Sequence, residues 1–376
     1  MARTSFTSSP AKIKVIGLGG GGCNAITRMV REEIQGVEFI AMNTDAQALA
    51  ITEAPTRFQL GEKLTKGLGA GGDHTQGQKA AEESREELQE LVSGADMVFI
   101  TCGMGGGTGT GAAPIIAEIA KQSGTLTIAI VTKPFTFEGV RRAQVADEGI
   151  VRLLSKVDTL IIIPNDRLLD LCDPHTSVDN AFRQADDVLR HGVQAISDVI
   201  TVPGMINLDF ADVKAVMKDA GPAWMSIGIG SGKNRAVDAA REALASPLLD
   251  VSMNGAKGVL FNVVGSSDLT LVEVNEAADV IKETVDPEAN IIFGVAHDAN
   301  LDKEVRITLI ATGFASKAGM AGMSQEDELT QLLKGLKSED ELDVPSFLRR
   351  PLFSHRRQAL TSTHTLVKPP SHNPVG

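Results

Sequence analysis

"CGMGGGTGTGAAP", residues 102–114, sets six glycines and two threonines between an apolar run, "ADMVFIT" at 95–101, and a helix-like "AAPIIAEIAKQ" at 112–122. A strand, a glycine loop and a helix in that order form a phosphate cradle. Glycines let backbone N–H groups converge because no Cβ stands in the way, and the helix N-terminus adds a partial positive charge. The lysine of a Walker loop is missing. The donors must therefore be the backbone N–H groups of residues 105–111, with the hydroxyls of Thr108 and Thr110 beside them. A plain surface turn needs only one or two glycines, and this stretch holds Gly105, Gly106, Gly107, Gly109 and Gly111.

Outward from this loop, strand-like and helical runs alternate from residue 12 to about residue 172. "KIKVIG" (12–17), "VEFIAMNT" (37–44), "TLTIAIVT" (125–132) and "DTLIIIP" (158–164) read as further strands. "NAITRMVREE" (24–33), "DHTQGQKAAEESREELQELV" (73–92) and "GVRRAQVADEGIVRLLSK" (139–156) read as helices between them. Such alternation predicts a Rossmann-like parallel sheet with helices on both faces and ligands at the carboxyl edge of the strands.

Residues 178–201 predict one long helix, with Phe182, Ala185, Leu189, Val193, Ile196 and Ile200 on one apolar face. At about 1.5 Å per residue it spans roughly 36 Å, and Pro203 with Gly204 stops it. Strands within 223–232, 258–265, 290–296 and 305–314, with helices near 234–246 and 269–284, predict a smaller α+β domain. The expected division is a disordered N-terminus (1–11), a nucleotide-binding domain (12–177), a central helix (178–202), a C-terminal domain (203–314), a linker (315–341), a short peptide (342–350) and a basic disordered extension (351–376). Residues 315–344 carry seven acids and three bases, whereas 345–376 carry no acid and five Lys or Arg, and the tail has no periodic core of its own, the exception being Leu329, Leu332, Leu333 and Leu336, whose i, i+3, i+4, i+7 spacing suits a short helix.

The bulk chemistry narrows the classes. With 376 residues, 43 % of them hydrophobic, the chain can build two cores. A net charge of −12 argues against a general nucleic-acid binder. The longest apolar stretches are strand-length, and no apolar run follows the early arginine, so neither membrane insertion nor a secretory leader is expected. Cys23, Cys102 and Cys172 share no metal-ligand spacing and read as reduced thiols of a cytoplasmic protein. Cys23 reads as a small filler, or as a thiol acidified by a helix N-terminus and open to alkylation.

A second glycine loop, "GLGGGGCNA" at 17–25, satisfies G-x-G-x-x-G through Gly17, Gly19 and Gly22, and Asp45 follows about where a dinucleotide fold keeps its ribose acid. A nicotinamide-dependent oxidoreductase is therefore a competing reading. It uses one such loop, however, and two loops on one strand edge suit one nucleotide gripped from both sides. A third reading is a nucleotide-binding scaffold that does not hydrolyse its ligand.

Six motifs in order carry a resemblance: "GLGGGGCNA", "NTDAQAL" (43–49), "TKGLGAGG" (65–72), "GGGTGTG" (105–111), "TKPFTFEG" (132–139) and "NLDFADV" (207–213). Together they resemble the tubulin/FtsZ family of GTPases from about residue 12 to residue 314, and "LDVPSFLRR" (342–350) resumes the likeness. The resemblance implies GTP and GDP as ligands, magnesium carried with the nucleotide, and assembly into a head-to-tail homopolymer that forms the bacterial division ring at mid-cell. It places Gly20, Gly21, Gly22 and Asn24, and Gly105, Gly106, Gly107, Thr108, Gly109 and Thr110, on the phosphates, with Ala70 and Gly71 sensing the γ-phosphate. Glu138 and Arg142 fall on the ribose side; a solvated helix position is the other reading of Arg142. Asp186 reads the base and Phe182, one turn earlier, stacks on it, against the plainer readings of a surface aspartate and a core phenylalanine.

Asn207, Asp209 and Asp212 fall where the resemblance puts a segment offered to the next subunit's nucleotide, to orient water and magnesium. Read alone, "DFADV" looks like a helix cap. In the tail, Leu342, Val344, Phe347 and Leu348 would be the anchors of a peptide that docks to membrane tethers and division regulators, with Pro345 a stiffener and Arg349 and Arg350 its charged end. The chain continues 26 residues past Arg350, and this basic extension suits anionic lipid, a partner or the acidic filament itself.

Overall fold

The computed structural model describes residues 11–170, 175–201, 209–248, 256–298 and 301–314. Cys172, Asn207 and the tail residues Leu342 to Arg350 lie outside them.

The first half alternates as expected. It runs β1 (Ile13–Leu18), α1 (Gly19–Arg31), β2 (Val37–Asn43), α2 (Ala46–Ala50), β3 (Thr56–Gln59), α3 (Glu62–Thr65), α4 (His74–Glu83) and α5 (Arg85–Val92). It continues through β4 (Met97–Gly103), α6 (Thr108–Gln122), β5 (Leu126–Lys133), a 3-10 turn (Thr136–Glu138), α7 (Val140–Leu154), β6 (Thr159–Pro164) and α8 (Asn165–Leu169). The second half holds α9 (Val178–Thr201), α10 (Phe210–Met217), β7 (Gly221–Ser231), α11 (Arg235–Leu244), β8 (Gly258–Gly265), α12 (Leu271–Thr284), β9 (Asn290–His297) and β10 (Glu304–Thr312). The short helices α2, α3 and α8 have no counterpart in the sequence reading, and two further features depart from it. The helical run 73–92 breaks at Ser84, whose backbone (φ −97°, ψ 20°) leaves the helix, and β3 adds an edge strand that four residues were too few to announce.

The ten strands form one sheet in the order β3-β2-β1-β4-β5-β6-β7-β10-β8-β9. β10 runs antiparallel to β7 and β8, and every other pairing is parallel. The halves join where Thr159, Leu160 and Ile161 pair with Gly221, Pro222 and Ala223. β4 and β5 are buried on both faces, as a parallel sheet covered by helices requires. One core packs Val15, Phe99, Ile128 and Ile130 against Ile26 and Met29 of α1 and Val193 and Ile196 of α9. A second packs Phe261, Val263, Ile307 and Leu309 against Ala240, Ala277 and Ile281. Phe182 shares the apolar face of α9 but is 39 % exposed, beyond the end of the core.

α9 carries the chain from one edge of the sheet to the other. Its first turns stand over the carboxyl ends of the strands. Its last residue, Thr201, donates its hydroxyl to Gln35 O, just before β2 begins. α10 lies at that same amino edge: the Thr159 hydroxyl, on the first residue of β6, donates to Met217 O, and Lys121 pairs with Asp219 just beyond α10.

Candidate nucleotide site

A cleft of about 370 Å³ opens at the carboxyl edge. Its floor comes from residues that end or follow strands: Leu18 at the end of β1, Gly103 at the end of β4 and Met104 after it, Thr132 and Pro134 around the end of β5, and Asn165 after β6. Two helix N-termini converge on it. α1 begins at Gly19 and α6 at Thr108; neither has an acidic residue in its first turn or a side chain capping its free N–H groups. Two uncapped, acid-free N-termini attract an anion through backbone N–H and dipole. Among the described residues Arg142 is the cleft's single basic lining residue, so the backbone must hold most of the negative charge.

Of the residues expected on the phosphates, Gly20, Gly21, Asn24, Gly106, Gly107, Thr108 and Gly109 line the cleft. Gly22, Gly105 and Thr110 do not. A Cβ on Gly22 would stand 2.4 Å from Thr101 O, so this glycine lets α1 lie against β4. Thr110 is fully buried and its hydroxyl accepts from Gly105 N at 2.8 Å, a bond that shapes the loop from inside. Ala70 and Gly71 are also off the lining, but Ala70 abuts the loop from outside: its methyl would be 2.8 Å from a Cβ on Gly107. Thr108 is tied to Thr44 through their hydroxyls at 2.6 Å.

At the other end, Glu138, Arg142, Phe182 and Asp186 all line the cleft. Glu138 accepts from Phe135 N at 2.8 Å and pairs with Arg142 at 3.1 Å, which fixes both over the mouth. Phe182 makes edge contacts with Phe135 and Phe137, at centroid distances of 5.3 and 6.4 Å. Asp186 lies one turn further along α9 and takes a hydrogen bond from Arg28 Nε at 3.3 Å. Burial pushes its carboxyl up to about 6, against the pull of the Arg28 charge.

Sequence reasoning missed Asn165. It is 4 % exposed, and its Oδ1 has no hydrogen-bond partner among the described residues although it lines the cleft. A buried amide oxygen without a partner is costly unless a ligand satisfies it. The available signal was position, since a polar residue directly after a strand belongs to the edge where ligands gather.

Two expectations change. The Cys23 thiol is not acidified: it is buried between Gly17 O and Met42 O, and burial raises it to about 11, so the alkylation-prone reading falls. Asp45, the ribose acid of the oxidoreductase reading, is off the lining; its carboxylate caps α2 by accepting from Gln47 and Ala48 N.

Asp209 and Asp212 are at the amino edge, across the sheet from the cleft. Both are exposed. Asp209 occupies the N-cap position of α10 yet makes no capping side-chain bond, so the plain capping reading is not realised.

Residues 12–173 match the Tubulin/FtsZ family, GTPase domain, and residues 221–315 the FtsZ family, C-terminal domain. The fold and the lysine-free cradle thus define a tubulin-like GTPase, an enzyme that binds GTP and GDP. The chain belongs to the FtsZ family. The structure titled FtsZ dimer, empty, from M. jannaschii shares 46 % identity over 85 % of this chain and 96 % of its own, with a TM-score of 0.80. A tryptophan-to-tyrosine mutant of M. jannaschii FtsZ shares 48 % identity over 81 % and 92 %, with a TM-score of 0.79. CetZ2 from Haloferax volcanii, solved as a GTPγS-bound protofilament, shares 17 % identity over 89 % and 100 %, with a TM-score of 0.67, a likeness of fold.

Proposed function

We propose that the chain polymerises head to tail and hydrolyses GTP at sites completed between subunits, forming the bacterial division ring in the cytoplasm at mid-cell. The observation that carries this reading is the placement of the carboxylates. Asp209 and Asp212 are exposed at the amino edge, while the cleft is at the carboxyl edge and its glycine loops hold no general base. A single chain cannot bring them together. Stacking one subunit's amino edge on the next one's carboxyl edge does, and such a heterologous contact makes an open filament. The rim is suited to burial: Phe137, Val140 and Val178, each within about a turn of a lining residue, are 61 %, 85 % and 62 % exposed. M. jannaschii FtsZ was solved as a dimer and CetZ2 as a protofilament, which agrees with this reading.

Within the cleft, the N-termini of α1 and α6 bind the phosphates and Glu138 with Arg142 the ribose. Phe182 stacks on guanine, and Asp186 accepts from its N1–H and 2-amino groups. The Asn165 amide, with a donor and an acceptor, completes the base edge. Adenine offers an acceptor at N1 and no 2-amino group, leaving a partly buried carboxylate unpaired at a cost of about 2 kcal/mol.

Hydrolysis joins a water oxygen to the γ-phosphorus and breaks the bond to the bridging oxygen of GDP. Asp209 and Asp212 of the neighbour, with Asn207, would orient that water. Magnesium, carried with the nucleotide, would be held by phosphate and water beside those carboxylates. The domain boundaries 12–177, 178–202 and 203–314 follow from this reading, with residues 342–350 docking membrane tethers and regulators. Deleting residues 342–376 should abolish capture by such tethers and leave GTPase activity; retained capture removes the peptide's role. Phosphate release measured against protein concentration tests the whole: specific activity that rises above a threshold supports it. Activity proportional to concentration from the lowest values measured contradicts it.

A further inference from the structure

Arg28 is outside the cleft, yet it is tied to the one carboxylate that faces the base. It sits on α1 one turn beyond Asn24, which lines the cleft, and α1 packs against α9. Its Nε donates to Asp186 Oδ2 at 3.3 Å, and its NH1 stands 3.8 Å from Asp187 Oδ1. Asp187 in turn approaches Arg190 Nε at 3.5 Å. The guanidinium, itself off the cleft lining, thus reaches Asp186 through Oδ2.

We propose that Arg28 is a positioning residue for base recognition, holding the Asp186 carboxylate in the rotamer and the ionised form that guanine requires. This rests on the base-reading role of Asp186. Two influences oppose ionisation: burial, and the like charge of Asp187 next door. Arg28 is the cation that opposes both, by charge and by hydrogen bond. The other charged groups at the site are already engaged, Arg142 with Glu138 and Arg190 with Asp187. Their mutual pairing leaves Arg28 to decide the state of Asp186. A neutral carboxyl cannot accept from N1–H and the 2-amino group together, so losing Arg28 should first cost the ability to tell guanine from a base without that amino group. One helix then serves both ends of the nucleotide, with its glycine N-terminus on the phosphates and Arg28 behind the base reader.

The test is the ratio of GDP to IDP affinity from pH 5 to 8, measured on the full chain without magnesium and below the assembly concentration. Inosine lacks the 2-amino group and carries the same phosphates, so the ratio cancels their titration. In the native protein the ratio should fall toward unity as pH drops below the range in which the nucleotide-bound Asp186 stays ionised. Arg28→Gln should raise the midpoint of that fall by about one pH unit or more, as loss of an adjacent opposite charge does. An unmoved midpoint in a folded Arg28→Gln protein overturns the proposal. Should that variant not fold, Arg28→Lys carries the test: it keeps the charge but not the planar fork. A smaller upward shift and weaker discrimination are expected, and a native profile overturns the proposal. Asp186→Asn separates the two levels of reasoning. If it keeps the native ratio and its pH limb, base reading by Asp186 fails and this inference with it. If it loses them while Arg28→Gln keeps them, only the role of Arg28 fails.

Discussion

Two glycines five residues apart in the same loop-helix segment should respond oppositely to a side chain. Gly111 is inside α6, where alanine is the better helix former by roughly 1 kcal/mol, so propensity alone makes Gly111→Ala stabilising. A Cβ there, however, would stand 2.1 Å from His74 O and 2.5 Å from Gln78 N, both backbone atoms of α4. No rotamer relieves such a contact; the two helices must part by about 1 Å. A clash with rigid backbone takes the upper end of the roughly 1–3 kcal/mol that overpacking costs, which reverses the sign to a net loss of about 2 kcal/mol. For a domain this large that lowers Tm by roughly 5 °C. Gly106 has no atom within 4 Å of where its Cβ would be, and it lines the cleft. Gly106→Ser should therefore leave stability within about 0.5 kcal/mol of native, yet weaken GDP at least about tenfold by crowding the phosphates. Thermal melts without nucleotide and fluorescent-GDP titrations decide both. A Gly111→Ala protein that melts at or above native refutes the packing reasoning. A Gly106→Ser protein with native GDP affinity refutes the cradle.

GDP affinity should fall about tenfold between pH 7 and pH 5, because a carboxyl that titrates near 6 is ionised at the first and mostly neutral at the second. The same raised carboxyl makes the folded state gain stability as pH falls from about 6 toward 4, so lost binding without unfolding is expected by calorimetry, and lost binding that tracks a loss of fold contradicts the assignment. Asp212→Asn should keep GTP binding and sedimenting polymer while lowering phosphate release at least about tenfold; lost GTP binding would remove it from a role across the interface. Cys23 should react with iodoacetamide at pH 8 far more slowly than a free thiol, since its thiolate is about one part in a thousand there. Peptide mapping that finds Cys23 alkylated first contradicts its burial.

Part of the cleft was legible because glycine loops are local patterns, while Phe182 and Asp186 were pointed to only by the resemblance to the tubulin/FtsZ family. Gly20, Gly106, Phe182 and Asp186 all meet in one cavity. What stayed hidden depends on long-range pairing. Asn165 looks like the end of an apolar strand until β6 is set beside β5 and its amide turns up at the shared edge. Gly22, Gly105 and Thr110 belong to the motifs, yet their backbone and hydroxyl groups serve packing and loop shape, a division that only the neighbouring strand and helix reveal. The joining of both halves into one sheet rests on three residue pairs separated by about sixty positions, beyond what periodicity reports. The pairing of Arg28 with Asp186 spans 158 positions and is invisible for the same reason.

The claim that the active site is shared between subunits is tested most directly by mixing two inactive proteins. Gly106→Ser impairs the subunit's own cleft and keeps Asp209 and Asp212, while Asp212→Asn keeps the cleft and disables the edge offered to the neighbour. In an equal mixture with random incorporation, roughly a quarter of the junctions of a head-to-tail polymer set an intact cleft against intact carboxylates. Phosphate release is measured above the assembly threshold, with co-sedimentation showing both proteins in the polymer. The shared-site account predicts release well above the sum of the separate variants, approaching a quarter of native. Simple additivity in a proven copolymer contradicts it.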